Sequence, residues 1–201
     1  MSNVSISDAV KYIGVDDHEL DLFEGQYIIP NGIAYNSYVI LDEKTAILDT
    51  VDARFADQWL ANLKAQLQGK APHYLIISHM EPDHSSVIGR IFDLYPDIIG
   101  VCSARALPMM KRFFATDYSS RMMVVNEGDT IALGAHTLKF LMAPMVHWPE
   151  VMVTYEQEEK ILFSADAFGK FGALDADEAW TCEARRYYFN ICGKYGAQVQ
   201  A

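Results

Sequence analysis

The tightest constraint on this chain is the passage from an unbroken apolar run, Tyr74-Leu75-Ile76-Ile77, into His79-Met80-Glu81-Pro82-Asp83-His84. Continuous apolar residues of this length mark a strand covered on both faces, and a strand is predicted from His73 to Ser78. Four metal-capable side chains follow at once: His79, Glu81, Asp83 and His84. Pro82 disfavours a regular helix through the cluster, so a loop is expected at the carboxyl end of the strand, where sites are commonly held.

Imidazole nitrogen suits zinc, copper, iron and nickel, whereas a carboxylate is a harder donor that binds end-on or bridges two ions. His79, Glu81 and Asp83 together therefore offer a mixed nitrogen and oxygen site. The competing reading of an isolated H-x-E-x-D-H is a solvated acidic turn. Two further strand ends weigh against it. Ala143-Pro144-Met145-Val146-His147-Trp148-Pro149 closes one predicted strand with an imidazole between prolines, and Ile161-Leu162-Phe163-Ser164-Ala165-Asp166 closes another with a carboxylate.

Around these points the chain reads as strands in two batches. Tyr27–Ile29, Ile33–Leu41 and Thr45–Leu48 are predicted strands, with Asn31-Gly32 and Asp42-Glu43-Lys44 as turns. Phe55, Trp59, Leu60, Leu63 and Leu67 share one helical face, with Asp52 as cap, Gly69 as stop and Trp59 as core. Val87–Tyr95 is a second helix ending at Pro96, Ile98–Cys102 a strand, and Ser103 caps a helix to about Phe114 with Met109 and Met110 in the core.

Arg121–Val125, Thr130–Leu133 and Thr137–Met142 are predicted strands, and Val151–Tyr155 and Ile161–Ser164 form a hairpin. The acidic run Glu156-Gln157-Glu158-Glu159-Lys160 between the last two reads as a solvated turn. This hairpin echoes the earlier one: strand, acidic turn with a lysine, strand ending in Asp, a hint of two similar halves. Two batches of strands with accompanying helices fit an α/β (α+β) two-sheet sandwich with outer helices better than a doubly wound sheet.

Composition narrows the function. A chain of 201 residues, 51% hydrophobic, can bury one core, and one domain over residues 1–201 is expected. A net charge of −11 argues against binding nucleic acid or an anionic membrane surface. Three widely spaced cysteines, Cys102, Cys182 and Cys192, make neither a disulfide framework nor a zinc site, and Cys102 reads as a buried small hydrophobe. Met1–Asp8 shows no signal sequence, and no apolar run approaches the roughly 20 residues of a membrane span, so a soluble cytoplasmic protein is expected. His18, His73 and His136 lack ligand-type neighbours and read as surface or hydrogen-bonded histidines.

H-M-E-P-D-H-S, P-M-V-H-W-P-E and L-F-S-A-D-A-F-G-K-F-G-A-L, in that order and spacing, resemble the metallo-β-lactamase-like domain of flavodiiron proteins, di-iron reductases of oxygen and nitric oxide. The similarity runs from Phe23 nearly to the last residue, taking in Pro30-Asn31-Gly32, Tyr35-Asn36-Ser37-Tyr38 and Glu183-Ala184-Arg185-Arg186-Tyr187-Tyr188. It implies an αββα sandwich with metals at one edge. It implies His79, Glu81 and His147 on one iron, Asp83 on a second and Asp166 bridging both. It places His84 beside the ligands rather than among them, and Tyr195 close to the irons. Glu81 stands where zinc hydrolases of the superfamily carry His, and the added carboxylate favours iron.

The resemblance further implies electrons delivered through FMN on a flavodoxin-like domain, a rubredoxin-like or flavoprotein donor, and a head-to-tail homodimer or a homotetramer. Two parts of its pattern have no counterpart: there is no histidine after His147, and nothing matches the FMN phosphate loop. The expectation is a domain incomplete at its carboxyl end, with Gln198-Val199-Gln200-Ala201 inside a helix and sheet edge left unpaired. The alternatives are a catalytically silent truncated product or binding module with a partial metal site, and a zinc hydrolase of the same fold.

Overall fold

The structure, a computed structural model, describes residues 5–201; Met1–Val4, part of the segment read for a signal sequence, lie outside them. The first sheet has six strands in sequence order: β1 (Val10–Tyr12), β2 (Tyr38–Ile40), β3 (Ala46–Leu48), β4 (Tyr74–Ile77), β5 (Ile99–Ser103) and β6 (Met122–Val125). β1 to β3 are antiparallel neighbours, and β3 to β6 run parallel. The second sheet is an antiparallel meander of β7 (Thr130–Ala132), β8 (Thr137–Met142), β9 (Met152–Glu156) and β10 (Ile161–Phe163).

Parallel neighbours need long crossovers, and helices supply them: α1 (Ala56–Leu67) between β3 and β4, α2 (Pro82–Ser85) and α3 (Ile88–Leu94) between β4 and β5, α4 (Ala106–Phe113) between β5 and β6. Because side chains alternate along a strand, the first sheet feeds two cores. Val39, Ile47, Leu75, Ile77 and Cys102 face Trp59 and Leu63 of α1, Ile88 and Phe92 of α3, and Met110 of α4. Ile40, Leu48, Ile76 and Val101 face Leu138, Phe140, Met152 and Phe163 of the second sheet. Trp59 is 0% exposed, and its indole N–H donates to Ser37 Oγ at 3.0 Å. Among the described residues no helix is long and apolar enough to cross a membrane.

Three expectations need correction. The run Ile33–Leu41 is not one strand: Ile33–Tyr35 pairs with Val15–Asp17 in a separate ribbon and Tyr38–Ile40 joins the first sheet. The break at Asn36-Ser37 lets the buried Ser37 donate to the Asp49 carbonyl at 2.9 Å and accept from Trp59. The metal-type cluster is loop only to Glu81; α2 then makes one helical turn with Pro82 at its first position, where the missing amide costs nothing. The acidic turn is not solvated throughout, because Glu156 is 0% exposed and accepts from the Glu158 and Glu159 amides at 3.0 and 2.6 Å.

Beyond β10 the chain makes no further strand of either sheet among the described residues, and β10 has β9 as its single neighbour. Helix α5 (Trp180–Tyr187) inserts Tyr187 against Phe23 and Phe171, its ring 6.3 and 5.0 Å from theirs. That contact seals the first core beside the strand ends that carry the site.

Candidate metal centre

Four strand ends meet at one edge of the sandwich. β3 ends in Asp49, β4 runs into His79 and Glu81, the β8–β9 connection holds His147, and β10 is followed by Asp166. Asp49, Met145 and Ala165 all sit in the left-handed region, at φ 54, 68 and 48. Such conformations cost a non-glycine residue free energy and persist only where surrounding contacts enforce them, as here at three of the turns that aim side chains inward. Two backbone contacts tie the edge together: Ser78 N–H donates to Asp49 Oδ1 at 2.6 Å, and Met152 N–H to the Ser78 carbonyl at 3.1 Å.

His79, Glu81, His147 and Asp166 each bring one donor atom to a common point, all within 4.8 Å of one another. His147 Nε2 lies 3.0 Å from Glu81 Oε2 and 3.1 Å from Asp166 Oδ2. His79 Nε2 lies 3.2 Å from the same two oxygens. The far side of the His79 ring is committed, since Nδ1 donates to Glu150 Oε1 at 2.7 Å. A neutral imidazole with its proton on Nδ1 turns a lone pair from Nε2 toward two carboxylate oxygens. That arrangement is repulsive unless a cation lies between them or the ring takes a second proton.

Without a cation, protons take its place. Burial opposes charge on His79, yet hydrogen bonds to Asp166, Glu150 and Glu81 hold its pKa well above the ordinary value. His147, opposed by burial and favoured by Asp166 and Glu81, is raised to about 9. Glu81, against the cost of burial, is lowered to about 2 by His147 and His79. A divalent or trivalent ion would satisfy all of these groups at once, and the donor set of two imidazoles and two carboxylates fits iron as well as zinc.

Asp83 stands apart from this group. It lies on α2 with Oδ2 4.0 Å from His84 Nε2, and its Oδ1 is buried without a hydrogen-bond partner. Burial, with Asp166 and Glu81 adding to it, pushes its pKa up to about 7. His84 points into the cluster: Nε2 is 3.0 Å from Asp166 Oδ1, while Nδ1 is 3.1 Å from Asp49 Oδ2. Asp83, His84 and Asp166 thus line a second position beside the first, along a cavity of about 260 Å³ whose wall also includes Tyr35, Tyr38 and Tyr187.

Tyr195 is half-buried, with the Lys194 ammonium 5.3 Å from its ring, and it lines neither cavity that reaches Asp166; Tyr187 lines both. His18, His73 and His136 lie in other contacts, paired with Asp175, the Thr45 amide and Asp42 respectively. Sequence reasoning passed over Asp49 and Glu150. The signal for Asp49 was present in the echo between the two hairpins, each ending in Asp. Glu150 closes the motif P-M-V-H-W-P-E, but its contact with His79 comes only from the fold.

A family model described as ODP family beta lactamase matches residues 33–192. A nitric oxide reductase of Moorella thermoacetica is 35% identical over 197 residues, covering 94% of this chain and 49% of that protein. The crystal structure of the flavodiiron protein from Giardia intestinalis superposes with a TM-score of 0.90 at 30% identity, over 97% of this chain and 49% of that one. Rubredoxin oxygen:oxidoreductase from Desulfovibrio gigas gives a TM-score of 0.90 at 30% identity, over 97% and 50%. The chain thus spans about half the length of such relatives.

Proposed function

Since this chain belongs to the ODP family of β-lactamase-like domains found in flavodiiron proteins, we propose that it is the di-iron half of a reductase of oxygen or nitric oxide. The observation that carries this is the convergence of His79, Glu81, His147 and Asp166 within 4.8 Å. In this reading His79, Glu81 and His147 would hold one iron, Asp83 would serve the second, and Asp166, whose two oxygens face different imidazoles, would be shared between them. Two irons bound there would supply the ferrous–ferric cycling that reduces O2 to water or NO to N2O, with electrons arriving through FMN from a rubredoxin-like or flavoprotein donor.

The residues present do the rest. Glu81 and Asp166 neutralise positive charge, as a carboxylate-rich shell must for a pair of cations. Asp49 fixes the His84 ring, and Tyr187 walls the cavity from the apolar side. Burial of His79 and His147 at 0% and 3% exposure shields the first position from bulk water. An FMN domain and a head-to-tail homodimer or homotetramer belong to this proposal.

Anaerobic titration of the chain with ferrous iron, followed by metal counting and an oxygen or nitric oxide electrode, tests it. The expected result is iron binding that His147→Ala abolishes, oxidation of that iron by either gas, and sustained consumption only when an FMN domain is supplied. Failure to bind iron, or turnover of a phosphate, thioester or lactam substrate with zinc, would overturn it.

A further inference from the structure

Glu150 is 1% exposed and sits between the segment that carries His147 and the start of β9. Its Oε1 accepts two hydrogen bonds, from His79 Nδ1 at 2.7 Å and from the Met80 amide at 2.9 Å. Its Oε2 is buried and has no partner. Its carbonyl accepts from Ser103 Oγ at 2.7 Å, which anchors the residue to the end of β5.

A carboxylate in this position is costly on packing grounds alone. One oxygen is left without a donor, so it loses its hydration with nothing in exchange. Glutamine would reach the same imidazole and amide with no net charge. What a charged carboxylate adds is electronic: accepting from Nδ1 fixes the tautomer that presents Nε2 as a donor, and its negative charge raises the basicity of that nitrogen.

Resting on the metal-centre reading above, we propose that Glu150 is the positioning residue of the first metal site. It orients His79 toward the ion and strengthens His79 as a donor, favouring the more highly charged state of that ion. Four residues, His147-Trp148-Pro149-Glu150, then serve two imidazoles: one that the segment carries and one from the opposite half of the sandwich.

The test compares the parent chain with Glu150→Gln and Glu150→Ala, using ferrous iron for affinity and potential and cobalt(II) as a spectroscopic probe of coordination. Glu150→Gln keeps size and an acceptor oxygen, so a merely structural role would leave its metal properties unchanged. The expected result is a loss of iron affinity of about 10-fold or more in Glu150→Gln and up to about 100-fold in Glu150→Ala. The midpoint potential of bound iron should rise and the cobalt absorption bands shift in Glu150→Gln, while its metal-free form melts no lower than the parent. Parent-like affinity, potential and cobalt spectrum in Glu150→Gln would overturn the assignment even if Glu150→Ala fails to fold. If the parent itself binds neither iron nor cobalt, the metal-centre reading fails instead, a separate result.

Discussion

His147 Nε2 lies 3.0 Å from Glu81 Oε2, although 66 residues separate them and they reach the site from different sheets. Asp166 completes the junction, with one oxygen 3.1 Å from His147 and the other 3.0 Å from His84. Each sheet therefore supplies an imidazole and a carboxylate to the junction, His79 with Glu81 from the first and His147 with Asp166 from the second, and the four meet across it.

Asp166→Asn should lower metal content more than loss of any one other donor. It is the side chain that meets three imidazoles, His79, His84 and His147, and a carboxylate shared by two cations offsets charge on both. Metal analysis of the purified variant beside Glu81→Gln and His147→Ala checks this. Parent-level loading in Asp166→Asn would remove it as a shared ligand.

Asp83 gives the metal-free protein a pH dependence. Its folded pKa of about 7 lies above the ordinary carboxylate value, so it favours the folded state at low pH, and that benefit is lost as pH rises through 7. Asp83→Asn removes the buried charge. It should stabilise the metal-free protein at pH 8 by roughly 1–3 kcal/mol and have little effect at pH 4. Thermal melts in chelator at both values decide the point.

Asp42 and His136 clamp one hairpin turn from each sheet. Asp42 Oδ2 accepts from the His136 amide at 2.8 Å and from its ring at 2.7 Å. Although burial opposes it, these bonds lower Asp42 to about 2 and raise His136. The Asp42 contribution is whole above its unfolded pKa near ~4 and lost as pH falls through about 2. The His136 contribution is whole below its unfolded value of about 6.5 and lost as pH rises through the raised one. Asp42→Asn should therefore cost most near pH 5, about 1.5–3 kcal/mol for a charged hydrogen bond, and less at pH 9, as urea midpoints would show.

Gly32 has φ +70, and a Cβ there would collide with the carbonyl oxygen of Asp17. Gly32→Ala should cost at least the ~1–2 kcal/mol of a left-handed alanine, and more from the clash. A melting temperature equal to the parent's would show that the turn can relax.

The strands were legible where local patterning and burial agree. Tyr74–Ile77 reads as a buried strand because four apolar residues in a row have no solvent face, and α1 reads as a helix because Trp59, Leu63 and Leu67 repeat at its period. Ile33–Leu41 misled because both of its halves are strand-like, and no local signal says that they belong to different sheets. Glu156 misled because an acidic turn is usually solvated, and only the packed hairpin turns its oxygens onto two amides.

By itself the sequence determined which side chains have metal chemistry and that they stand at the ends of apolar strands, since ligand type and hydrophobic period are local properties. The motifs' resemblance implied that His79, Glu81, His147 and Asp166 share a site with Asp83 beside it; the tertiary structure supplied the geometry, four donor atoms within 4.8 Å with Asp83 outside that group. It decided too that Glu150 and Asp49 hold the rings of His79 and His84. The reason is physical: a ligand's identity is carried by one residue, but convergence depends on the twist and stacking of two sheets whose register is set by contacts far apart in the chain.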